Sequence, residues 1–142
     1  MLIRLTPEQV VREWEVIRHA IKESTYESIF SRPDSVRDHL RELIAGTMQA
    51  WAIVDQEEFV GIVTTRFSLD ASMGVKRLEI YSLFGFRDIS PRMWATCYVM
   101  LKRFALANDC THIIALSDQE NILSLAMKLG GDTTQRMIVF DL

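Results

Sequence analysis

The sequence predicts an α+β fold of three layers (α/β/α), in which helices cover both faces of a mixed, mainly antiparallel central sheet. Three strand patterns, over 49–54, 59–67 and 75–84, follow one another with short connections, as in an antiparallel meander. A strand–helix–strand unit then extends to residue 116, and such a crossover places its two strands parallel. The predicted element order is β-α-α-β-β-β-α-β-α-β, within one domain spanning residues 1–142.

The first helix is predicted by its start signals and its apolar spacing. After a strand candidate at residues 2–5, Thr6 and Gln9 match a capping box, with Pro7 at the first helical position. Apolar residues then recur at intervals of three and four, which predicts one amphipathic helix to about residue 22. The stripe consists of Val10, Trp14, Ile17 and Ile21.

The second helical region follows a polar segment that has room for a single helical turn. Pro33 marks a boundary, a helix is expected to begin near Ser35, and Gly46 is placed to end it in a left-handed cap. Within the meander, Gly61 indicates either a bulge or close packing. Simple alternation divides the third meander strand into one face with Leu78, Ile80, Ser82 and Phe84, and another with Arg77, Glu79, Tyr81 and Leu83.

The C-terminal half is predicted as helix, strand, helix and strand. Ser90-Pro91 begins a helix to about Ala107 that is apolar on more than one side, so it is expected to be well buried. The apolar run 111–116 is predicted to be a central strand. A capping box at 117–120 opens the next helix, Gly130-Gly131 ends it, and a last strand is expected over 135–142.

Composition disfavours several classes of function. Sixteen basic and nineteen acidic residues give a net charge of −3 without a basic stripe, which argues against nucleic-acid binding. Cys97 and Cys110 lack the spacing of a metal site, and the three histidines are expected to be structural or solvated, so no metal is predicted. No apolar run is long enough to cross a membrane and no leader pattern is visible, so a cytoplasmic location is expected.

The element order resembles that of the GNAT superfamily of acyl-CoA-dependent N-acyltransferases. The resemblance rests on the helix pair after a short first strand, the 49–84 meander, the 90–116 helix–strand unit and the closing segment 124–131, Ser-Leu-Ala-Met-Lys-Leu-Gly-Gly. It implies that acetyl-CoA would lie in an opening between strands 75–84 and 111–116. Its pyrophosphate would bind backbone N–H groups at the next helix start, where the helix dipole favours negative charge.

The resemblance also implies roles for individual residues. Glu79 becomes the candidate general base, and Tyr81 the candidate proton donor to the leaving thiolate. The candidate cofactor-binding residues are Leu83, Phe84, Arg87, Arg92 and Asn121. The alternative interpretation leaves Glu79 an ordinary carboxylate on a half-exposed strand, Tyr81 a packing residue and the two arginines solvated.

The sequence departs from the family pattern at the expected cofactor site. No glycine lies between Gly85 and the helix start, and Arg92 and Trp94 stand roughly where small residues belong. Pro91 removes one N–H donor. On the last helix Ala126 occupies the position of the family's tyrosine, and alanine cannot donate a proton. These departures predict an eroded cofactor site.

Two functions remain open at this point. In the first, the chain is a non-catalytic GNAT-fold protein that binds a protein partner or itself. Its layout is then similar to that of internal virion proteins of some short-tailed phages, which would make it virion-associated. In the second, it is an active enzyme that moves an acetyl or acyl group from CoA to a small amine acceptor. The phosphate loop discriminates best between the two, because no acyl transfer proceeds without its donor.

Overall fold

The computed structural model describes residues 1–30 and 35–142. Its strands are β1 (Leu2–Arg4), β2 (Met48–Asp55), β3 (Glu58–Asp70), β4 (Val75–Gly85) and β5 (His112–Ala115). Its helices are α1 (Pro7–Arg12), α2 (Trp14–Lys22), α3 (Thr25–Phe30), α4 (Ser35–Ala45), α5 (Pro91–Ala107) and α6 (Glu120–Lys128). Within the described ranges, no helix is long and apolar enough to cross a membrane.

The sheet has the order β1-β2-β3-β4-β5. The first four strands form antiparallel pairs with their neighbours, and β5 joins β4 in parallel after the crossover through α5. The predicted α+β class with a mixed, mainly antiparallel sheet is therefore confirmed. Because β4 and β5 are parallel, their carboxyl-terminal ends lie at the same end of the sheet, beside the start of α5.

Helices cover both faces of this sheet and enclose two cores. The first core lies between the sheet and α5, and the second between the sheet and helices α1 to α4, which matches the three predicted layers. Residues buried in the first core include Ile53, Val63, Leu78, Cys97 and Leu101. Those in the second include Val10, Ile17, Ile21, Met48 and Ile62.

The N-terminal helix is divided into two pieces, which corrects the predicted single helix. The capping box is present, with Thr6 N–H donating to Gln9 Oε1 at 2.9 Å and Gln9 N–H donating to Thr6 Oγ1 at 3.2 Å. Glu13, with φ −97° and ψ 15°, leaves helical torsion angles and separates α1 from α2. The apolar stripe continues across this break, because Val10 and Ile17 lie in the same core.

The second helical region agrees with prediction where it is described. Helix α3 is the expected single turn, and α4 begins at Ser35 and is followed by Gly46 at φ +86°. That left-handed torsion is the one a glycine adopts without steric cost. The boundary expected at Pro33 lies outside the described residues.

Two predictions for the region after β4 are wrong. Helix α5 buries only one side, since Cys97 and Leu101 are in the core whereas Val99 is 47% and Leu106 is 64% exposed. Strand β5 is an edge strand with only intermediate or exposed residues, so it is not central. Both errors have one cause: apolar residues were assigned to the interior, although folded proteins keep much apolar surface in contact with solvent.

The chain after β5 also differs from the prediction. Helix α6 begins at Glu120 after Gln119, which makes no side-chain cap bond, so the predicted capping box is absent. Instead, Ser117 Oγ accepts a hydrogen bond from Gln119 N–H at 3.2 Å. The strand expected over 135–142 does not form, and each of these residues is exposed. A strand requires a hydrogen-bonded neighbour, and this segment has none among the described strands.

Candidate functional site

A bulge in β4 sets the geometry of the sheet where the cofactor opening was expected. The β3–β4 register passes from Thr64↔Ser82 to Thr65↔Ile80, so Tyr81 is an extra residue in β4. Bulges bend a strand and increase its twist, and they occur often beside active sites. The bulge reverses the predicted alternation: Leu83 packs against the first core and Phe84 against the second.

The pairing between the two parallel strands ends next to this bulge. It covers Arg77↔His112 to Ile80↔Ala115 and stops there, whereas β4 continues to Gly85 in its pairing with β3. Beyond Ile80, the outer backbone edge of β4 has no strand partner among the described residues. The pairing therefore ends where the sequence predicts an opening between the ends of β4 and β5.

A cluster of ionisable and aromatic side chains lies on the sheet face beneath α3 and α4, and we refer to it as the buried ionic cluster. Its members come from two helices and two strands, and apart from Arg66 each is at most 9% exposed. They are Tyr26, Glu27, His39, Arg66, Glu79 and Tyr81. The structure thus brings the two predicted catalytic residues together and surrounds them with four others.

Glu79 is engaged by Arg66 within this cluster. Arg66 Nε donates to Glu79 Oε2 at 2.6 Å, and the two side chains are 33% and 11% exposed. Burial works against the charge of Arg66, but the hydrogen bond and charge of Glu79 outweigh it and raise the pKa of Arg66 above its ordinary value. A substrate amine that approached Glu79 would have to share the carboxylate with Arg66.

The hydroxyl of Tyr81 is likewise hydrogen-bonded to a side chain within the protein. Its hydroxyl donates to Glu27 Oε2 at 3.1 Å, and its ring stacks on Tyr26 with centroids 5.0 Å apart. The guanidinium of Arg66 lies 4.5 Å from the ring centroid on a cation–π contact. Burial, followed by the charge of Glu27, raises the pKa of Tyr81 strongly, so the phenol is a poor proton donor to a leaving thiolate.

His39 completes the cluster and was not expected there. It is 5% exposed, its ring centroid lies 5.2 Å from that of Tyr81, and its Nδ1 has no hydrogen-bond partner among the residues that the structure describes. Burial lowers the pKa of His39, which keeps the ring neutral near neutral pH. An uncharged ring beside Tyr81 lets the helix pack closely against the sheet without introducing a second buried cation.

Sequence reasoning missed four members of this cluster for an identifiable reason. Arg66 stands opposite Glu79 in the β3–β4 register, so an ion pair between the two strands was available from the meander alone. Tyr26, Glu27 and His39 have no such local signal. Their positions depend on how α3 and α4 cross the sheet, which spacing along the chain does not specify.

The start of α5 has few backbone donors left for a phosphate. Pro91 has no N–H, and the Met93 N–H donates to Ser90 Oγ at 3.1 Å. The Trp94 N–H donates to Ser90 O at 3.0 Å, as the first bond of the helix. Of these first-turn residues, only Arg92 keeps an uncommitted N–H, which is a poor fit for a pyrophosphate that needs several donors.

The loop before α5 is packed down onto the sheet. Gly61 and Gly85 face each other in the β3–β4 register. A Cβ on Gly61 would stand 2.8 Å from Phe84 O and 2.9 Å from Ile89 Cδ1. Gly61 is therefore required by close packing, one of the two reasons predicted for it, and Ile89 anchors the loop over the glycine pair.

The predicted cofactor-binding residues do not converge in the structure. Arg87 pairs with Asp55 Oδ2 at 3.3 Å and with Glu58 Oε2 at 3.1 Å, next to the β2–β3 turn. Arg92 is exposed in the first turn of α5, and Asn121 is exposed in the first turn of α6. Leu83 and Phe84 belong to opposite cores. Among the described residues, no group of His, Cys, Asp or Glu is placed to hold a metal ion.

Comparison with known proteins relates the chain to solved structures only. No family model matches the sequence, and no curated protein matches it significantly. An aminoglycoside acetyltransferase from an uncultured soil metagenomic sample is 21% identical with a TM-score of 0.71, over 100% of this chain and 96% of that chain. A transcriptional regulator from Bacillus halodurans C-125 is 14% identical with a TM-score of 0.72, over 100% and 99% of the two chains.

A third match carries part of a cofactor in its ligand. AAC(6′)-Iy, in complex with the bisubstrate analogue CoA-S-monomethyl-acetylneamine, is 14% identical with a TM-score of 0.68, over 100% of this chain and 97% of that chain. Sequence identities of 14% to 21%, together with TM-scores of 0.68 to 0.72, establish a shared fold along the length of the chain. They leave the activity undetermined.

Proposed function

We propose that this chain, which has the fold of the GNAT acetyltransferases, is a non-catalytic binding protein whose acyl-CoA site has been lost. The observation that carries the proposal is the state of the α5 N-terminus. Pro91 supplies no donor, and Ser90 Oγ takes up the N–H group of Met93. The residues present therefore do not fit a bound pyrophosphate, and no reaction step is assigned to acetyl-CoA in this chain.

The buried ionic cluster supports the same proposal. A general base needs a lone pair directed at the substrate amine, and a general acid needs a proton directed at the leaving group. Glu79 Oε2 is bonded to Arg66, and the Tyr81 hydroxyl donates to Glu27. Tyr81 holds α3 to the sheet and Glu79 links β4 to β3 through Arg66, so both serve the structure of the protein.

Binding is the role that remains for the fold. We propose a protein partner or self-association, with the protein in the cytoplasm or, if the chain comes from a phage, in the virion. The negative net charge supports a protein over a nucleic acid as the partner.

The alternative function is an active N-acyltransferase that moves an acetyl or acyl group to a small amine. One observation favours it: the pairing of β4 with β5 ends at Ile80, which leaves the following residues of β4 without a strand partner on that side among the described residues. A pantetheine chain could hydrogen-bond to such an edge. This route would rely on positioning, which supplies on the order of 7–11 kcal/mol in favourable cases.

Titration with acetyl-CoA and with CoA, by calorimetry and by thermal shift, separates the two functions. A ligand at about 100 times its Kd stabilises a fold by about 2.7 kcal/mol, which is a large shift for a domain of this size. We expect no binding heat and no shift at millimolar cofactor.

A matched variant makes this titration specific to the predicted site. Binding at micromolar Kd that is weakened at least tenfold by Arg92→Ala, and unaffected by Arg12→Ala on the exposed surface of α1, would overturn the non-catalytic proposal. Binding that neither substitution weakens would place the cofactor away from the α5 N-terminus, and an amine-acceptor screen would then follow.

A further inference from the structure

A row of polar side chains crosses three strands at the end of the sheet opposite the α5 N-terminus. Ser68 on β3 is paired with Arg77 on β4, and Arg77 is in turn the register neighbour of His112 on β5. Residues paired in this way project to the same face of a sheet. Thr111 adjoins His112 at the start of β5. We call these four residues the polar row.

Arg77 is a half-buried cation without an acidic partner. Its Nε is buried and has no hydrogen-bond partner among the described residues, and its Nη2 donates only a long bond, 3.3 Å, to Ser68 Oγ. The other half-buried arginines that the structure describes, Arg18 and Arg66, each lie within 4.0 Å of a carboxylate. A partly desolvated guanidinium without a counter-charge is unfavourable, and an unsatisfied buried donor calls for an explanation such as an ion.

Asp70 lies near enough to sense the charge of Arg77, but it does not neutralise that charge. Hydrogen bonds from Ser72 and Met73 lower the pKa of Asp70, and Arg77 adds a smaller effect. Asp70 Oδ1 accepts from Ser72 Oγ at 2.7 Å and from the N–H groups of Ser72 and Met73. Its carboxylate therefore serves the β3–β4 turn, and the outer nitrogens of Arg77 stay available to an anion from solution.

The hydrogen bonds of Thr111 assign the tautomer of His112. Thr111 Oγ1 donates to Lys76 O at 3.2 Å, because a carbonyl can only accept, and this uses the single hydroxyl proton. Toward His112 Nδ1, 2.8 Å away, Thr111 Oγ1 must then accept, which places a proton on Nδ1. The neutral ring keeps Nε2 as an acceptor, and His112 is exposed, so a ligand can reach it.

The polar row combines groups that a phosphate satisfies better than other anions. Arg77 needs charged oxygens, and its planar guanidinium suits phosphate geometry. The neutral His112 ring needs an O–H donor, which inorganic phosphate and the monoanion of a phosphate ester both carry. An ionised carboxylate is an acceptor only, and sulfate carries no proton near neutral pH. Ser68 Oγ accepts from Arg77 and can donate its own proton to a third oxygen.

We propose that the polar row binds a phosphate group, either as free phosphate or at the end of a small ester, with Arg77 as its counter-charge and Ser68 and His112 as its orienting partners. Arg77 lies near the start of β4, whereas the expected acyl-CoA opening lies near its end at Gly85. The site is therefore independent of whether acetyl-CoA binds, and each titration succeeds or fails without the other.

Titration with inorganic phosphate, followed by ¹⁵N–¹H NMR, tests the site. The buried Nε–H of Arg77 is the reporter, and its signal is assigned by its loss in Arg77→Lys. We expect this signal to shift saturably at millimolar phosphate, and Arg77→Gln to weaken the binding, followed on nearby backbone amides, at least about tenfold. Arg103→Gln removes the same charge from the exposed surface of α5 and should leave the affinity unchanged. Absence of a saturable shift, or equal weakening by both glutamine variants, would overturn the proposal.

Comparison of anions tests the chemistry of recognition. In the wild type we expect phosphate to bind more tightly than sulfate or acetate, because only phosphate offers an O–H to His112 Nε2. In His112→Leu the preference for phosphate over sulfate should disappear. Sulfate or acetate that binds the wild type as tightly as phosphate contradicts the assignment. Glycerol phosphate, compared with inorganic phosphate, then distinguishes an esterified ligand from a free one.

Thermal unfolding separates a ligand site from a purely structural arginine. In phosphate-free buffer, Arg77→Met should melt no lower than the wild type, since it removes a charge that no described carboxylate balances. Added phosphate should raise the melting temperature of the wild type and leave that of Arg77→Met unchanged. A variant that melts well below the wild type without phosphate would show that the protein itself balances the charge of Arg77, and the site would be refuted.

Discussion

The region up to Cys110 and the region from β5 onward bury their apolar residues and pair their backbone groups to different degrees. Between Leu2 and Cys110, two cores close on both faces of the sheet, with Ile17, Ile53 and Ile62 each 0% exposed. From β5 onward no residue is buried, and every residue over 135–142 is exposed. The first region encloses its apolar side chains within the fold, whereas the second leaves many of its apolar side chains in contact with solvent.

The two regions also differ in how their polar groups are hydrogen-bonded. The buried ionic cluster places charges beneath helices, and Arg66, Glu79 and Tyr81 each have a hydrogen-bond partner. The β5 edge leaves a row of backbone groups without a strand neighbour in the described part of the chain. Buried polar groups must find hydrogen-bond partners inside the protein, whereas exposed polar groups can bond to water or to another chain.

Truncation of matched leucines should show the largest contrast between the regions. Leu78→Ala removes a side chain that is 0% exposed in the first core, and we expect a loss of about 3 to 4 kcal/mol in unfolding free energy. Leu125→Ala in α6, where the side chain is only partly buried, should cost less than about 1 kcal/mol. Denaturation with urea measures both, and equal losses would contradict the comparison.

Breaking the Arg66–Glu79 ion pair should have the next largest effect. Arg66→Met leaves the Glu79 carboxylate, 11% exposed, without its cation, and we expect a loss of about 2 to 3 kcal/mol. The double variant Arg66→Met with Glu79→Leu should recover most of it, since no unpaired charge remains. As a control, Arg12→Met removes an exposed pair with Glu13 and should change stability by under about 1 kcal/mol.

Removal of the Tyr81 hydroxyl should have a smaller effect. Tyr81→Phe keeps the stack on Tyr26 but deletes the donor to Glu27, 3.1 Å away, and we expect a loss of about 1 to 2 kcal/mol. Tyr98→Phe on α5 is the matched control. If the Tyr81 hydroxyl instead served catalysis, its loss would spare stability and lower a transferase rate, which kinetic assays of both variants would reveal.

The smallest expected effect is a pH dependence from His39. Burial lowers the pKa of His39 below its ordinary value of 6.5, so the unfolded chain binds this proton more readily than the folded one. The stability due to the neutral ring is therefore complete above pH 6.5 and is lost as the pH falls below it.

Substitution isolates this contribution from that of the carboxylates. Between about pH 7.5 and pH 5.5, unfolding free energy should fall less in His39→Leu than in the wild type. His112→Leu, at an exposed position, serves as the control and should retain the wild-type slope. An unchanged slope in His39→Leu would show that His39 does not contribute.

Much of the fold was predictable because its signals are local. The capping box at Thr6, the left-handed Gly46 and the proline start at Pro91 each specify a helix end from a few adjacent residues. The meander followed from strand patterns with short turns between them, and the parallel pairing of β4 with β5 followed from the crossover. Among the site residues, Glu79 and Tyr81 were correctly expected to share one face of β4.

The predictions were wrong where the conformation of a strand depends on the strand beside it. The bulge at Tyr81 moved Phe84 to the opposite core, since the alternation of a strand holds only while its register is unbroken. The strand predicted over 135–142 had the right composition but no partner strand, and β5 was consequently an edge.

The sequence by itself determined the fold class, the meander, the helix–strand crossover and the absence of a glycine between Gly85 and α5, because propensity, capping and spacing act between residues close along the chain. The tertiary structure alone decided that Tyr26, Glu27 and His39 surround the two candidate catalytic residues, and that residues 135–142 lie uncovered. These features depend on how the helices cross the sheet and on which strands of the sheet are paired. Both are set by packing between residues that are distant in sequence.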